Sequence, residues 1–232
     1  MKIYAISDLH ISTNTNKPMD VFGGNWVGYL DKIKQDWQQK VTDNDLVLIG
    51  GDISWAMDIE DAKKDIQSFS NLNGKKVLIK GNHDYWWSGI GKVRDMLPED
   101  FFALQNDSIR FDGVVICGSR CWSVPGSPDF NEQDMKIYLR ETERLKLSLK
   151  SAQNLRQEGD KLIALIHYPP FNVKRENSAF TDIFEEFGVN VVVYGHLHGK
   201  SVRADKLVEK NGIRYYLTSC DQVENKLTEI IL

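Results

Sequence analysis

The chain has little cysteine and little histidine, no long apolar run and no excess of one charge. Its three cysteines, Cys117, Cys121 and Cys220, are an odd number spread over 232 residues, which excludes a disulfide framework and points to a reducing compartment. Cys117 and Cys121 lack the second pair that a zinc site needs, so all three are expected in the core or on strands. No stretch approaches the roughly 20 apolar residues that cross a bilayer. The apolar run after Met1 is short and meets a charge at Asp8, unlike a signal peptide. A soluble, cytoplasmic protein with no membrane partner is expected. Basic and acidic residues number 29 and 33, so there is no broad attraction to nucleic acid.

What is present suits a folded domain. Apolar residues make up 41% of the chain, enough for a substantial core, and the length fits one large domain over residues 1–232. There is no internal repeat. Residues 2–6, 46–49, 76–80, 162–166 and 189–194 are short, rich in Ile, Val and Leu, and bounded by Gly, Asn or Asp, which predicts buried strands. Between them Trp26, Leu30, Ile33, Trp37 and Val41 recur at gaps of three or four, as do Ile59, Ala62, Ile66, Phe69 and Leu72. Both read as amphipathic helices. A third helix is expected over about 133–158, with Leu145, Leu149 and Ala152 on one stripe and Gly159 as its stop. Hairpins are expected over 101–118, turning at Asp112-Gly113, and over 207–217, turning at Asn211-Gly212. Residues Ser123 to Asp134 carry two prolines and a glycine and read as a surface loop able to overhang a site. Alternating βα units followed by hairpins fit an α/β domain with two packed sheets covered by helices.

Five of these strands run directly into residues able to bind metal: Asp8-Leu9-His10, Gly51-Asp52, Gly81-Asn82-His83-Asp84, His167, and Gly195-His196-Leu197-His198. In open α/β sheets the carboxyl ends of strands border the ligand crevice, so residues distant in sequence converge there. Each fragment alone is a weak signal; their conjunction is strong. The chain has only five histidines, and every one stands at the end of such a strand, where a structural histidine has no reason to gather.

The order and spacing of these motifs, from Met1 to about Gly199, resemble the calcineurin-like metallophosphoesterase superfamily. The resemblance implies a four-layer α/β/β/α sandwich of two mixed β-sheets flanked by helices, with a dinuclear centre at one rim. It implies that Asp8, His10, Asp52 and His198 hold one metal, that Asp52, Asn82, His167 and His196 hold the other, and that Asp52 bridges. One carboxylate shared by two cations offsets their repulsion. Imidazole, carboxylate and amide donors without thiolate suit two divalent or mixed-valence ions; manganese is the expected metal, with iron or zinc as alternatives. Such a pair acidifies a bridging water and polarises phosphoryl oxygens. His83, beside Asn82 but outside the ligand set, is the expected general acid, a role the resemblance also gives it. Asp84 either orients His83 or anchors the loop, with anchoring preferred.

Arg120, Arg140, Lys174, Arg175 and Arg203 are candidates for a further phosphate clamp, Arg120 and Arg175 foremost. Trp86 and Trp87 either pack in the core, the preferred reading, or stack on a substrate ring. After Gly51-Asp52 the chain reads Ile53-Ser54-Trp55-Ala56-Met57-Asp58, without the arginine of the protein serine/threonine phosphatase branch. Only 33 residues follow Gly199, too few for the appended region of the long-DNA nucleases. A small-molecule phosphate ester, and a phosphodiester in particular, is therefore the expected substrate, with no long nucleic acid. A phosphomonoesterase, protein phosphatases included, and a protein-binding scaffold of the same fold whose metal ligands are partly lost are the alternatives; the complete ligand set and His83 argue against the scaffold.

Overall fold

The computed structural model describes residues 1–13, 17–199, 202 and 204–232. Two sheets form its centre. The first has the order β11-β1-β2-β3-β4, from β1 (Ile3–Ile6), β2 (Leu46–Ile49), β3 (Lys75–Ile79), β4 (Phe101–Leu104) and β11 (Thr228–Glu229). All its neighbours are parallel except β1 and β11. The second runs β5-β6-β7-β8-β10-β9, from β5 (Ser108–Phe111), β6 (Val114–Ser119), β7 (Lys161–Ile166), β8 (Val191–Tyr194), β9 (Leu207–Lys210) and β10 (Ile213–Leu217). It is parallel from β6 to β10 and antiparallel at both edges.

The strands read as continuous apolar runs because both faces are covered. Ile3, Ala5, Leu46, Leu48, Val77 and Ile79 point to a core between the sheets, where they meet Val114, Ile116, Ile163, Leu165, Val191 and Val193. The alternate residues point outward. Tyr4, Ile6, Val47, Ile49 and Leu78 pack with Ile33 and Trp37 of α1 (Tyr29–Lys40), Ala62 and Ile66 of α2 (Ile59–Gln67) and Val93 of α3 (Ile90–Met96). On the far side Val115, Cys117, Leu162, Ala164, Val192 and Tyr194 pack with Leu145, Leu149 and Ala152 of α4 (Glu132–Leu155) and Phe180, Ile183 and Phe184 of α5 (Ala179–Glu186). The result is the expected four-layer α/β/β/α sandwich.

Several boundaries move for local reasons. Trp26 lies in a short 3-10 turn, and α1 starts only after Gly28, whose φ of 60° breaks the helix on that side. Phe69 and Leu72 fall beyond the end of α2. The last of the long helices is capped by Asn131, whose side chain accepts the Gln133 N–H while Asp134 reaches back to the Asn131 N–H. The expected hairpin over 101–118 is corrected: Phe101–Leu104 pairs with β3 in the first sheet, and only β5 and β6 form the hairpin. Its turn residues Asp112 and Gly113 both have positive φ, as a tight two-residue turn requires. All three cysteines are buried and free. Among the described residues no helix is long and apolar enough to cross a membrane.

Candidate metal centre

The carboxyl ends of β1, β2, β3, β7 and β8 meet at one rim, and the tight crossing there explains the glycines in the motifs. A side chain on Gly195 would stand 2.5 Å from Ser7 Cβ and 2.6 Å from an Asp8 carboxylate oxygen. One on Gly81 would fall on the Asp52 carboxylate and its backbone nitrogen. Asp8, His10, Asp52 and His196 all have φ between 45° and 69°, a left-handed conformation that costs non-glycine residues on the order of 1–3 kcal/mol each. Cross-strand bonds hold part of that strain: Asp8 N–H donates to the Gly51 carbonyl (3.0 Å), His10 N–H to Asp52 (2.9 Å) and Ile11 N–H to Ile53 (2.9 Å).

Asp84 ties the rim together. Its carboxylate is fully buried and accepts from the N–H groups of Gly81 (2.7 Å), Asp52 (2.9 Å), Ile53 (2.9 Å) and Ser54 (3.2 Å), and from Trp86 Nε1 (3.0 Å). Burial and the neighbouring Asp52 charge push its pKa up to about 7. The N–H donors pull the other way and give a protonated acid no acceptor to face. Asp84 thus anchors the two motif loops, and none of its hydrogen bonds goes to the His83 ring.

The seven residues expected as ligands come together. Asp8, His10 and His198 offer ligand atoms within 4.8 Å of one another, as do Asp8, Asp52 and His167. Asn82 Oδ1 lies 2.7 Å from His167 Nε2 and 3.0 Å from His196 Nδ1. His167 Nδ1 is 2.9 Å from the Gly50 carbonyl, which fixes the proton there and turns the Nε2 lone pair toward Asn82 Oδ1. Two acceptors then face each other at hydrogen-bond distance, an arrangement that a cation between them reconciles. Asp52 Oδ1 accepts the His83 N–H (2.8 Å). Its Oδ2, like both ring nitrogens of His10, is buried without a hydrogen-bond partner among the described residues. Such orphans are costly in a finished core and ordinary around a metal site.

The electrostatics agree. Burial lowers the His10 pKa strongly and takes those of His167 and His196 to about 3 and about 2, so these imidazoles are neutral and present lone pairs. Burial and the Asp52 charge raise the Asp8 pKa, and burial raises that of Asp52. Two buried carboxylates among neutral donors form a pocket short of positive charge.

His83 is half-buried at the edge of this group, its ring centroid 5.6 Å from His10 and 4.6 Å from Trp55. Burial lowers its pKa while the Asp52 charge supports it. Trp55 also stacks on His10 at 4.7 Å, and Trp26 edges His10 and His198 at 6.2 Å each. Sequence reasoning missed both tryptophans; the only signal was the position of Trp55 three residues after Asp52. It missed Asp221 too, which holds the loop after His198 through the Gly199 N–H (2.7 Å). Trp86 and Trp87 are buried and pack in the core, with Trp87 Nε1 bound to Gln105 (2.7 Å). Arg175 pairs with Asp205 and borders a cavity that reaches His196, whereas Arg120 and Arg140 gather around Glu141. Lys174 is exposed, and Arg203 lies outside the described residues.

The chain is 30% identical over 122 residues to the uncharacterized protein MJ1445 of Methanocaldococcus jannaschii, a stretch covering 50% of this chain and 68% of that protein. Its fold is similar to that of TT1561 of Thermus thermophilus, with a TM-score of 0.63 at 12% identity over 99% of this chain and 97% of the other. It is also similar to AQ665 of Aquifex aeolicus, a protein of unknown function, with a TM-score of 0.53 at 16% identity over 98% and 95%. The family model of the calcineurin-like phosphoesterases matches residues 1–200, the segment that carries every motif of the rim, and the chain belongs to that family of metal-dependent phosphoesterases.

Proposed function

We propose that the rim holds two divalent cations and hydrolyses a small phosphodiester. Asp8, His10, Asp52 and His198 hold one ion and Asp52, Asn82, His167 and His196 the other. The observation that carries this reading is the place of Asp52 Oδ2, 3.7 Å from His10 Nε2 on one side and 3.6 Å from His167 Nε2 on the other. One oxygen facing a ligand of each set is what a bridging carboxylate requires. Bound there, the ions supply a lowered water pKa and polarised phosphoryl oxygens. Manganese fits the donor set, with iron or zinc as alternatives.

The chain's own groups do the rest. The Gly50 carbonyl fixes the His167 tautomer, and Asp84 fixes Asp52 and the Asn82 loop, so the donors are set before substrate arrives. His83, held through its backbone N–H by Asp52, delivers a proton to the leaving oxygen. A cavity of about 460 Å³ borders His196 and is walled by Ser123, Pro128, Phe171 and Arg175. Its mixed apolar and polar wall suits the second substituent that a diester carries and a monoester lacks. The missing arginine after Asp52 removes one reason to prefer a dianionic monoester.

The test is hydrolysis of bis(p-nitrophenyl) phosphate and p-nitrophenyl phosphate before and after chelation and after return of manganese. Activity lost on chelation and regained with manganese, at least as high on the diester, is expected. Full turnover by the chelated protein would refute the metal reading, and a clear monoester preference would refute the diester assignment.

A further inference from the structure

A second pocket, of about 300 Å³, opens beside the metal centre between the ends of β3, β4 and β6 and the flank of α4. Its wall carries Lys80, Arg120, Arg140 and Arg144 against one carboxylate, Glu141. That is three positive charges in excess, on a chain whose formal charge is −4. Glu141 is buried at 1% exposure, and Arg144 (2.7 Å), Arg140 (3.3 Å) and Arg120 (3.6 Å) all converge on its Oε1. Among the described residues these three arginines pair with no other carboxylate. Lys80 Nζ donates to the Trp87 carbonyl (3.1 Å), a neutral partner.

One guanidinium suffices to pair one buried carboxylate. Gathering three, with an ammonium on the same wall, sets like charges against one another in a partly buried space and costs stability unless an anion joins them. The arrangement suits a tetrahedral oxyanion. A guanidinium presents a planar fork of N–H donors, and Glu141 occupies only part of each fork. Arg120 lies over the Trp122 ring, its Cζ 4.6 Å from the centroid, which leaves less freedom to lose on binding. Ser88 and Asn106, both residues with neutral donors, line the same wall.

None of the seven residues assigned to the metals lines this pocket, yet the two sites share walls. Lys80 precedes the Gly81-Asn82 turn, and the Arg120 carbonyl accepts the His167 N–H (3.2 Å). We infer that the pocket formed by Lys80, Arg120, Arg140 and Arg144 around Glu141 is a binding site for a phosphate group, separate from the metal centre. The group is either a second phosphate of the substrate or free phosphate, and the site goes beyond the proposed metal chemistry without depending on it.

Calorimetric titration of the manganese-loaded chain with inorganic phosphate tests this directly. Wild type should show a binding event that R140Q/R144Q loses or weakens by about tenfold or more, the worth of charge-assisted hydrogen bonds. If the double variant melts early, R140Q alone serves, because Arg140 is on the exposed face of α4. Were the metal reading to fail, the chain would still show the arginine-dependent event. A second arm compares kcat/KM for p-nitrophenyl thymidine 5′-phosphate with and without a 3′-phosphate. A preference for the 3′-phosphorylated ester that R140Q/R144Q abolishes identifies a substrate group; no preference, with the phosphate event still arginine-dependent, identifies free phosphate. Phosphate isotherms that superimpose for wild type and for both variants would overturn the inference.

Discussion

Replacing Asp84 with alanine removes the acceptor of five buried donors: the N–H groups of Gly81, Asp52, Ile53 and Ser54 and Trp86 Nε1. Each orphaned buried donor costs about 1–3 kcal/mol, but water entering the vacated space recovers some of them, so the terms do not add. A loss of about 3–5 kcal/mol is expected, the usual cost of removing one side of a buried charged network. For a chain this long that is a fall in Tm of roughly 6–20 °C. Asp84→Asn is not a conservative alternative. Oδ2 faces two of the N–H groups and Oδ1 the other three donors, so an amide NH₂ must oppose donors whichever way it turns. It should keep more than half of the defect. Because the same carboxylate sets Asp52 and the Asn82 loop, manganese affinity should fall about 10–100-fold in both variants. Urea unfolding and manganese titration measure the two effects. An Asp84→Ala protein within about 1 kcal/mol of wild type, with unchanged manganese affinity, would show that Asp84 anchors nothing.

The other expectations are simpler. Gly81→Ala places a methyl group on the Asp52 carboxylate and should cost more than about 2 kcal/mol with loss of metal, while Gly89→Ala, with nothing within 4 Å, should be near neutral by the same melts. His83→Ala should keep its metals and lose about 10²–10⁴-fold in kcat on esters with poor leaving groups, and less on p-nitrophenyl esters; equal losses would remove it as proton donor. Burial raises the Asp45 pKa, but the N–H groups of Lys2 and Thr42 and the Thr42 hydroxyl outweigh it, and the net shift is downward. A carboxyl depressed in the folded state stabilises above its unfolded pKa, about 3.9, and that contribution is lost as pH falls through the lower folded value. Asp45→Asn should therefore cost about 1–2 kcal/mol at pH 7 and less at pH 3 in urea midpoints.

Much of the site was legible because it lies where strands end. A buried parallel strand is a short apolar run, and the first polar residues after it are fixed at the rim, so Asp8, Asp52, Asn82, His167 and His196 could be placed from sequence alone. The need for Gly81 and Gly195 was visible only as motif letters, since the residues they make room for are distant in sequence. Trp55 and Trp26 escaped because their contacts with His10 depend on how two loops fold back. The basic pocket was legible only in part: Arg120 and Arg140 stood among the expected phosphate clamps, but Arg144 joins them through the helix face it shares with Arg140, and Lys80 comes from the end of β3 in the other sheet. The hairpin over 101–118 was misread because a turn dipeptide fixes only its own neighbours, and β4 found a better partner in β3.

Metal analysis of Asp52→Asn beside wild type shows whether one carboxylate is shared by two metal ions. Wild type reconstituted with manganese should carry two ions per chain, and Asp52→Asn, folded by circular dichroism, should lose affinity at both sites because one charge served both. A variant that keeps one site at full affinity while emptying the other would show that Asp52 does not bridge.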